Sequence, residues 1–199
     1  MEDKTLQLVR SALSGREVNS ITGPDLMESA VLLLLYPKDG DYCVLFNKRS
    51  EEVEFNKGEM CFPGGSRDPE DADLEVTARR EAFEEMGVHA EDITIFGELD
   101  GTTTRAGFSI HPYVGTIPYP YDFIPSKVEV AAVVEVPLTH LFDDRNIRDQ
   151  TRVMADGTSV NARTYAYGPH LIYGATARIL QQFLELLKAA GWSEEAVSS

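Results

Sequence analysis

Three glutamates, Glu81, Glu84 and Glu85, lie within one short stretch, Arg80-Glu-Ala-Phe-Glu-Glu-Met-Gly87. On a helix turning about 100° per residue they fall within about 100° of one another. Ala78, Ala82, Met86 and Phe83 line the neighbouring side, so one flank can bury while the acids crowd the next. Like charges at this spacing disfavour a helix by about 0.2–0.5 kcal/mol per pair, and a bound cation offsets that. Carboxylates without histidine or cysteine make a hard oxygen site, suited to magnesium, or manganese in its place, rather than zinc. Magnesium keeps waters and takes phosphate oxygens as further ligands, which implies a phosphate-bearing substrate. A solvated acidic face has the same pattern, but the neighbours set this stretch apart. Gly64-Gly65 allows close backbone approach to a ligand, Arg80 can pair with and hold a glutamate, and Gly87 stops the helix.

The elements that must carry these residues are legible around them. Leu6, Val9 and Leu13 mark an N-terminal helix over about 4–14. The apolar run Ala30–Tyr36 reads as a buried strand, and the turn Pro37–Asp41 returns the chain into a second strand over 42–47. Residues 49–73 form a long loop, of a length usually reserved for function. A helix follows from Leu74 to Met86, with Asp71 or Asp73 as its cap. Strands are expected over 93–99, 109–116 and 128–136, then a helical turn over 138–142. A hairpin over 151–154 and 160–167, turning at Asp156-Gly157, precedes a final helix over about 173–190. The whole reads as one α/β domain, a mixed sheet with helices on both faces.

Composition narrows the functions. The 199 residues carry a formal net charge of −15, which argues against binding nucleic acid or docking on anionic membrane. Two cysteines, Cys43 and Cys61, are too few for a disulfide framework, and the four histidines show no ligand spacing for zinc. No apolar run spans a bilayer and no cleavable signal opens the chain, so a cytoplasmic protein is expected. Neither G-x-S-x-G nor a P-loop occurs.

The stretch from Gly64 to Val88 resembles the Nudix box, G-x5-E-x7-R-E-U-x-E-E-x-G-U with U apolar. Residues 80–88 match its second half, with Ala82 as U. The first half departs: Asp71 stands in place of the glutamate, and eight residues rather than seven separate it from Arg80. The resemblance implies a Nudix-type α/β/α sandwich and hydrolysis of a nucleoside diphosphate linked to another group. It implies that Glu81, Glu84, Glu85 and the Gly64 carbonyl hold the metal, and that Arg80 orients a carboxylate. The metal would activate water and offset charge on the leaving oxygen.

Further residues resemble the coenzyme A diphosphatase subgroup, whose signature reads L-L-T-x-R-S-x3-R-x3-G-x3-F-P-G-G. They are Leu45-Phe-Asn-Lys-Arg-Ser50, Gly58, Phe62-Pro-Gly-Gly65, Thr104–Phe108, Pro112–Gly115, Glu135–Leu138 and Tyr173–Leu180. This implies phosphate contact by Arg49 and Arg105 beside Gly64 and Gly65. It also implies a role for Glu129, in the strand Lys127-Val-Glu-Val-Ala, as further ligand or base. Glu54 and Asn47 replace the signature's second arginine and its threonine. Glu54 reverses a charge where a phosphate could sit, so NADH or ADP-ribose stands as an alternative to coenzyme A or its acyl derivatives. A nucleotide-sensing module without turnover is the alternative of another class, and a homodimer is a family expectation. Tyr165, Tyr167 and Tyr173 are candidates for an adenine wall.

Overall fold

A computed structural model describes residues 3–52, 56–153 and 159–193. Helix α1 (Lys4–Leu13) opens the chain, its first turn capped by the Asp3 carboxylate, which accepts from the Thr5 N–H. Strands β1 (Met27–Lys38) and β2 (Asp41–Arg49) form a hairpin. Asp39 and Gly40, at φ 51° and 83°, connect Lys38 to its partner Asp41, the left-handed pair that matches the twist of the strands. There follow β3 (Met60–Cys61), β4 (Gly64–Ser66), α2 (Leu74–Met86), β5 (Thr94–Glu98), β6 (Thr102–Thr103), β7 (Phe108–Thr116) and β8 (Val130–Pro137). The chain continues through α3 (Leu138–Phe142), β9 (Ile147–Val153), β10 (Ser159–Tyr167), β11 (His170–Ile172) and α4 (Gly174–Ala189).

The main sheet runs β3-β2-β1-β7-β5, with β4 added to β1, β6 to β7 and β8 to β2. β1 and β7 are parallel and the other pairs antiparallel. Both faces of β1 are covered, which is why its sequence is a continuous apolar run rather than an alternation. Ala30, Leu32, Leu34 and Tyr36 pack with Ala78, Ala82 and Met86 of α2. Leu33 and Leu35 pack on the other side with Val9 and Leu13 of α1 and with Leu180, Phe183 and Leu187 of α4. The result is the expected α/β/α layering around a mixed sheet.

The differences are local. β3 and β4 lie inside the stretch read as loop; two and three residues are too few to show a period. β9, β10 and β11 make a separate three-stranded sheet. β9 begins at Ile147, earlier than the sequence suggests, because its charged residues are matched across the pair: Arg163 Nε donates to Asp149 at 2.8 Å. The Asp156-Gly157 turn lies outside the described residues.

Candidate functional site

Helix α2 starts where Asp73 accepts from the Val76 N–H at 2.9 Å and ends at Gly87, whose left-handed φ of 71° breaks the helical path. Thr77, Ala78, Ala82, Glu85 and Met86 form its buried flank. Phe83 does not belong to that flank: it is 50% exposed and packs against His89, with ring centroids 5.2 Å apart. One position beyond Ala82 carries it about 100° round the helix, towards solvent.

Strand β4 lies between β1 and α2 through its glycines. Gly64 has φ 154°, and a Cβ there would stand 2.3 Å from the Ala30 carbonyl; a Cβ on Gly65 would stand 2.5 Å from the Glu81 carboxylate. The bare backbone brings the Gly64 N–H to Glu85 Oε2 at 3.1 Å. Asn47 Nδ2 donates to the same oxygen at 2.8 Å, and Arg49 Nη1 stands 3.6 Å from Oε1. Glu85 is only 4% exposed. Burial pushes its pKa up to about 7; the Gly64 N–H and Arg49 oppose this, while Glu81 and Glu129 add to it. Glu81 is also raised, by burial first, with Glu84 and Glu129 contributing against the pull of Arg80.

Arg80 is the hub of the exposed flank. Its Nη1 donates to Glu81 at 2.9 Å and to Glu84 at 3.0 Å; its Nη2 donates to the Ser66 carbonyl at 2.9 Å. Nη2 and Nε also donate to Asp71, at 3.1 and 3.2 Å. Asp71 is buried and accepts further from Thr77 Oγ1 at 2.8 Å and the Asp68 N–H at 3.0 Å. Arg80 holds its carboxyl at about 2. The residue that departs from the box pattern therefore anchors the arginine.

Glu129 is not in a strand. It is an exposed residue of the turn 127–129, closed by the Val130 N–H on the Ser126 carbonyl at 2.9 Å, and β8 starts one residue later. Its carbonyl accepts from the Ser50 N–H at 2.8 Å. The segment before it is tied to the last turn of α2: the Ile124 N–H donates to the Met86 carbonyl and the Ser126 N–H to the Glu85 carbonyl, both at 2.9 Å. Arg105 stands elsewhere, exposed in the turn between β6 and β7 and near enough to Arg178 to depress that group's pKa, after burial. Of the three tyrosines, Tyr165 is a core residue at 2% exposure, Tyr167 packs edge-on against His140, and Tyr173 bonds Glu59. They form no common wall. Glu54 lies outside the described residues.

Among the described residues no three acid, histidine or cysteine side chains stand in a metal-ligating array. Arg80 draws Glu81 and Glu84 to itself, while Glu85 faces Asn47 and Gly64. The donors are nonetheless all oxygens, and two of the carboxylates are raised by burial and by neighbouring acids, Glu81 by Glu84 and Glu129, and Glu85 by Glu81 and Glu129. That surplus of negative charge suits a hard divalent ion. A cleft of about 550 Å³ opens beside Ser66, lined by Glu28, Arg67, Asp68 and Ser109. Asn47 and Asp71 are residues that sequence reasoning did not place at the site; both stand out in the sequence as departures from a motif, and Asp71 also as a candidate cap of α2.

Comparison with known proteins supplies the family. The NUDIX domain family model matches residues 26–152. Nudix hydrolase 3 of Caenorhabditis elegans is 33% identical over 176 residues, covering 79% of this chain and 72% of that protein. NudL of Photorhabdus laumondii subsp. laumondii, described as an uncharacterized Nudix hydrolase, is 31% identical over 142 residues, covering 71% of this chain and 75% of that protein. A MutT/nudix family protein from Enterococcus faecalis superimposes with a TM-score of 0.57 over 98% of this chain and 84% of that one; at 15% identity this is a likeness of fold. The chain thus belongs to the Nudix hydrolases, enzymes that cleave pyrophosphate bonds and generally use divalent metal ions.

Proposed function

We propose that this enzyme cuts the diphosphate linkage of a nucleotide-type small molecule with magnesium, coenzyme A or an acyl derivative being the leading substrate. One observation carries the reading. Glu85 is buried yet aligned by two N–H donors, on a helix whose Arg80 gathers Glu81 and Glu84 beside it. Glu81, Glu84, Glu85 and the Gly64 carbonyl would hold the ion, with manganese as a substitute. Bound there, it offsets charge on the phosphates and makes water a better nucleophile.

The chain's own groups do the remaining work. Arg80 restrains two glutamates at once and is itself fixed by Asp71 and the Ser66 carbonyl. Arg49, beside Glu85, supplies positive charge to an anionic substrate. Gly64-Gly65 lets β4 pack tightly between β1 and α2, which sets the Gly64 N–H on Glu85 and the Gly64 carbonyl among the candidate ligands. Glu129, exposed in the turn before β8 and near enough for its charge to raise Glu81 and Glu85, takes the proton of the attacking water. Arg105, next to Arg178 and away from the glutamates, serves a distal anionic part of the substrate.

The coenzyme A reading is supported by the signature residues from Leu45 to Gly65. The test is a hydrolysis screen over coenzyme A, acyl derivatives, NADH, ADP-ribose and dinucleoside polyphosphates, with and without magnesium and with products weighed by mass spectrometry. Preference for NADH or ADP-ribose would replace coenzyme A as substrate. Absence of metal-dependent turnover on every compound would overturn the assignment.

A further inference from the structure

Asn47 is fully buried in β2, and both ends of its amide have partners. Nδ2 donates to Glu85 Oε2 at 2.8 Å. Oδ1 accepts from the thiol of Cys61, its cross-strand neighbour on β3. Burial pushes that thiol's pKa up to about 12, so the sulfur carries the proton it donates. An amide turned over would set its oxygen against the glutamate and its NH2 against the S–H. Two acceptors would then face each other on one side and two donors on the other, so a single orientation satisfies every group. The Gly64 N–H adds a second donor to the same glutamate oxygen at 3.1 Å. Oε2 is thereby committed to the protein, and Oε1 is the atom left towards the side where Arg49 stands at 3.6 Å.

We propose that Asn47 and Cys61 are a positioning pair: the pairing of β2 with β3 fixes the rotation of the Glu85 carboxylate and presents Oε1 as its ligating atom. This rests on Glu85 being a metal ligand. It also accounts for two residue choices in this chain. Asn47 replaces the threonine of the subgroup signature, and its forked amide reaches the Glu85 carboxylate with one end and the Cys61 thiol with the other.

The test uses the full chain and manganese alone, its binding titrated by the loss of the free-ion EPR signal without substrate. Asn47→Leu keeps the branched four-heavy-atom outline and removes both polar ends. It should weaken manganese binding about 10–100-fold and lower kcat by a similar factor while KM stays within about twofold, the range typical of lost support behind a ligand. Cys61→Ala should act in the same direction by a smaller factor, and Cys61→Ser, which keeps a donor, should recover most of the loss. Circular dichroism checks folding. A folded Asn47→Leu with wild-type manganese affinity overturns the proposal. If Asn47→Leu does not fold, equal affinity in wild type, Cys61→Ala and Cys61→Ser overturns it. Glu85→Gln separates the two levels. Unchanged affinity there removes the ligand reading and the pair with it; lost affinity there with none lost in Asn47→Leu or Cys61→Ala removes the pair alone.

Discussion

Replacing Asp71 by asparagine leaves the shape of the turn before α2 but withdraws the charge that anchors Arg80. The carboxylate accepts from Arg80 through two nitrogens, from Thr77 and from the Asp68 N–H. An amide keeps one acceptor and points two hydrogens at a guanidinium that can only donate. The native carboxyl titrates at about 2 instead of 3.8, because Arg80 favours its charged form. Taken whole, that difference is worth about 2.5 kcal/mol at neutral pH. Asp71 is buried but the Arg80 side chain is partly exposed, and solvent screening through it brings the expected loss to about 1.5 kcal/mol. For a domain of this size the loss lowers Tm by about 3–6 °C. The sign of the pH dependence follows from the depressed pKa: the stability is present above 3.8 and is lost as pH falls through about 2. Urea denaturation at pH 7 and pH 3 should therefore show the gap between wild type and Asp71→Asn shrinking by roughly half at the lower pH. An equal gap at both values, or no gap at pH 7, would refute the role given to this pair.

Other outcomes follow from the same geometry. Glu85→Gln should cut kcat by at least about a hundredfold in the magnesium assay, with thermal unfolding little changed, since the amide keeps the volume of the buried side chain. Gly64→Ala sets a methyl 2.3 Å from the Ala30 carbonyl at a φ of 154°, and chemical denaturation should show a loss of about 1–3 kcal/mol or more. Glu54→Arg should raise kcat/KM for coenzyme A about tenfold if that position reads phosphate, a gain of about 1.4 kcal/mol; an unchanged ratio would remove the charge argument.

What the sequence revealed and what it hid have physical causes. The run Ala30–Tyr36 was readable because a strand covered on both faces must be apolar throughout. Helix α2 was readable because Asp73 and Gly87 mark its ends and the spacing of Ala78, Ala82 and Met86 marks its buried side. β3 and β4 were invisible: their backbone pairing is dictated by neighbours, not by side-chain period. The run Lys127-Val-Glu-Val-Ala has strand-forming side chains, yet its first three residues form a turn because Val130 bonds back to Ser126. Arg80 and its glutamates announced themselves locally. Asn47 could not, since its partner lies 38 residues away and only the packing of β2 against α2 brings them together.

The two hydrogen bonds from Ile124 and Ser126 to the end of α2 carry a consequence for the evolution of the fold. They lash a connector between strands to the helix that bears the carboxylates, so Glu129 and Glu85 cannot drift independently. An insertion between Ser126 and Val130 would lengthen the chain between that lashing and Glu129, and so shift this acid against Glu85.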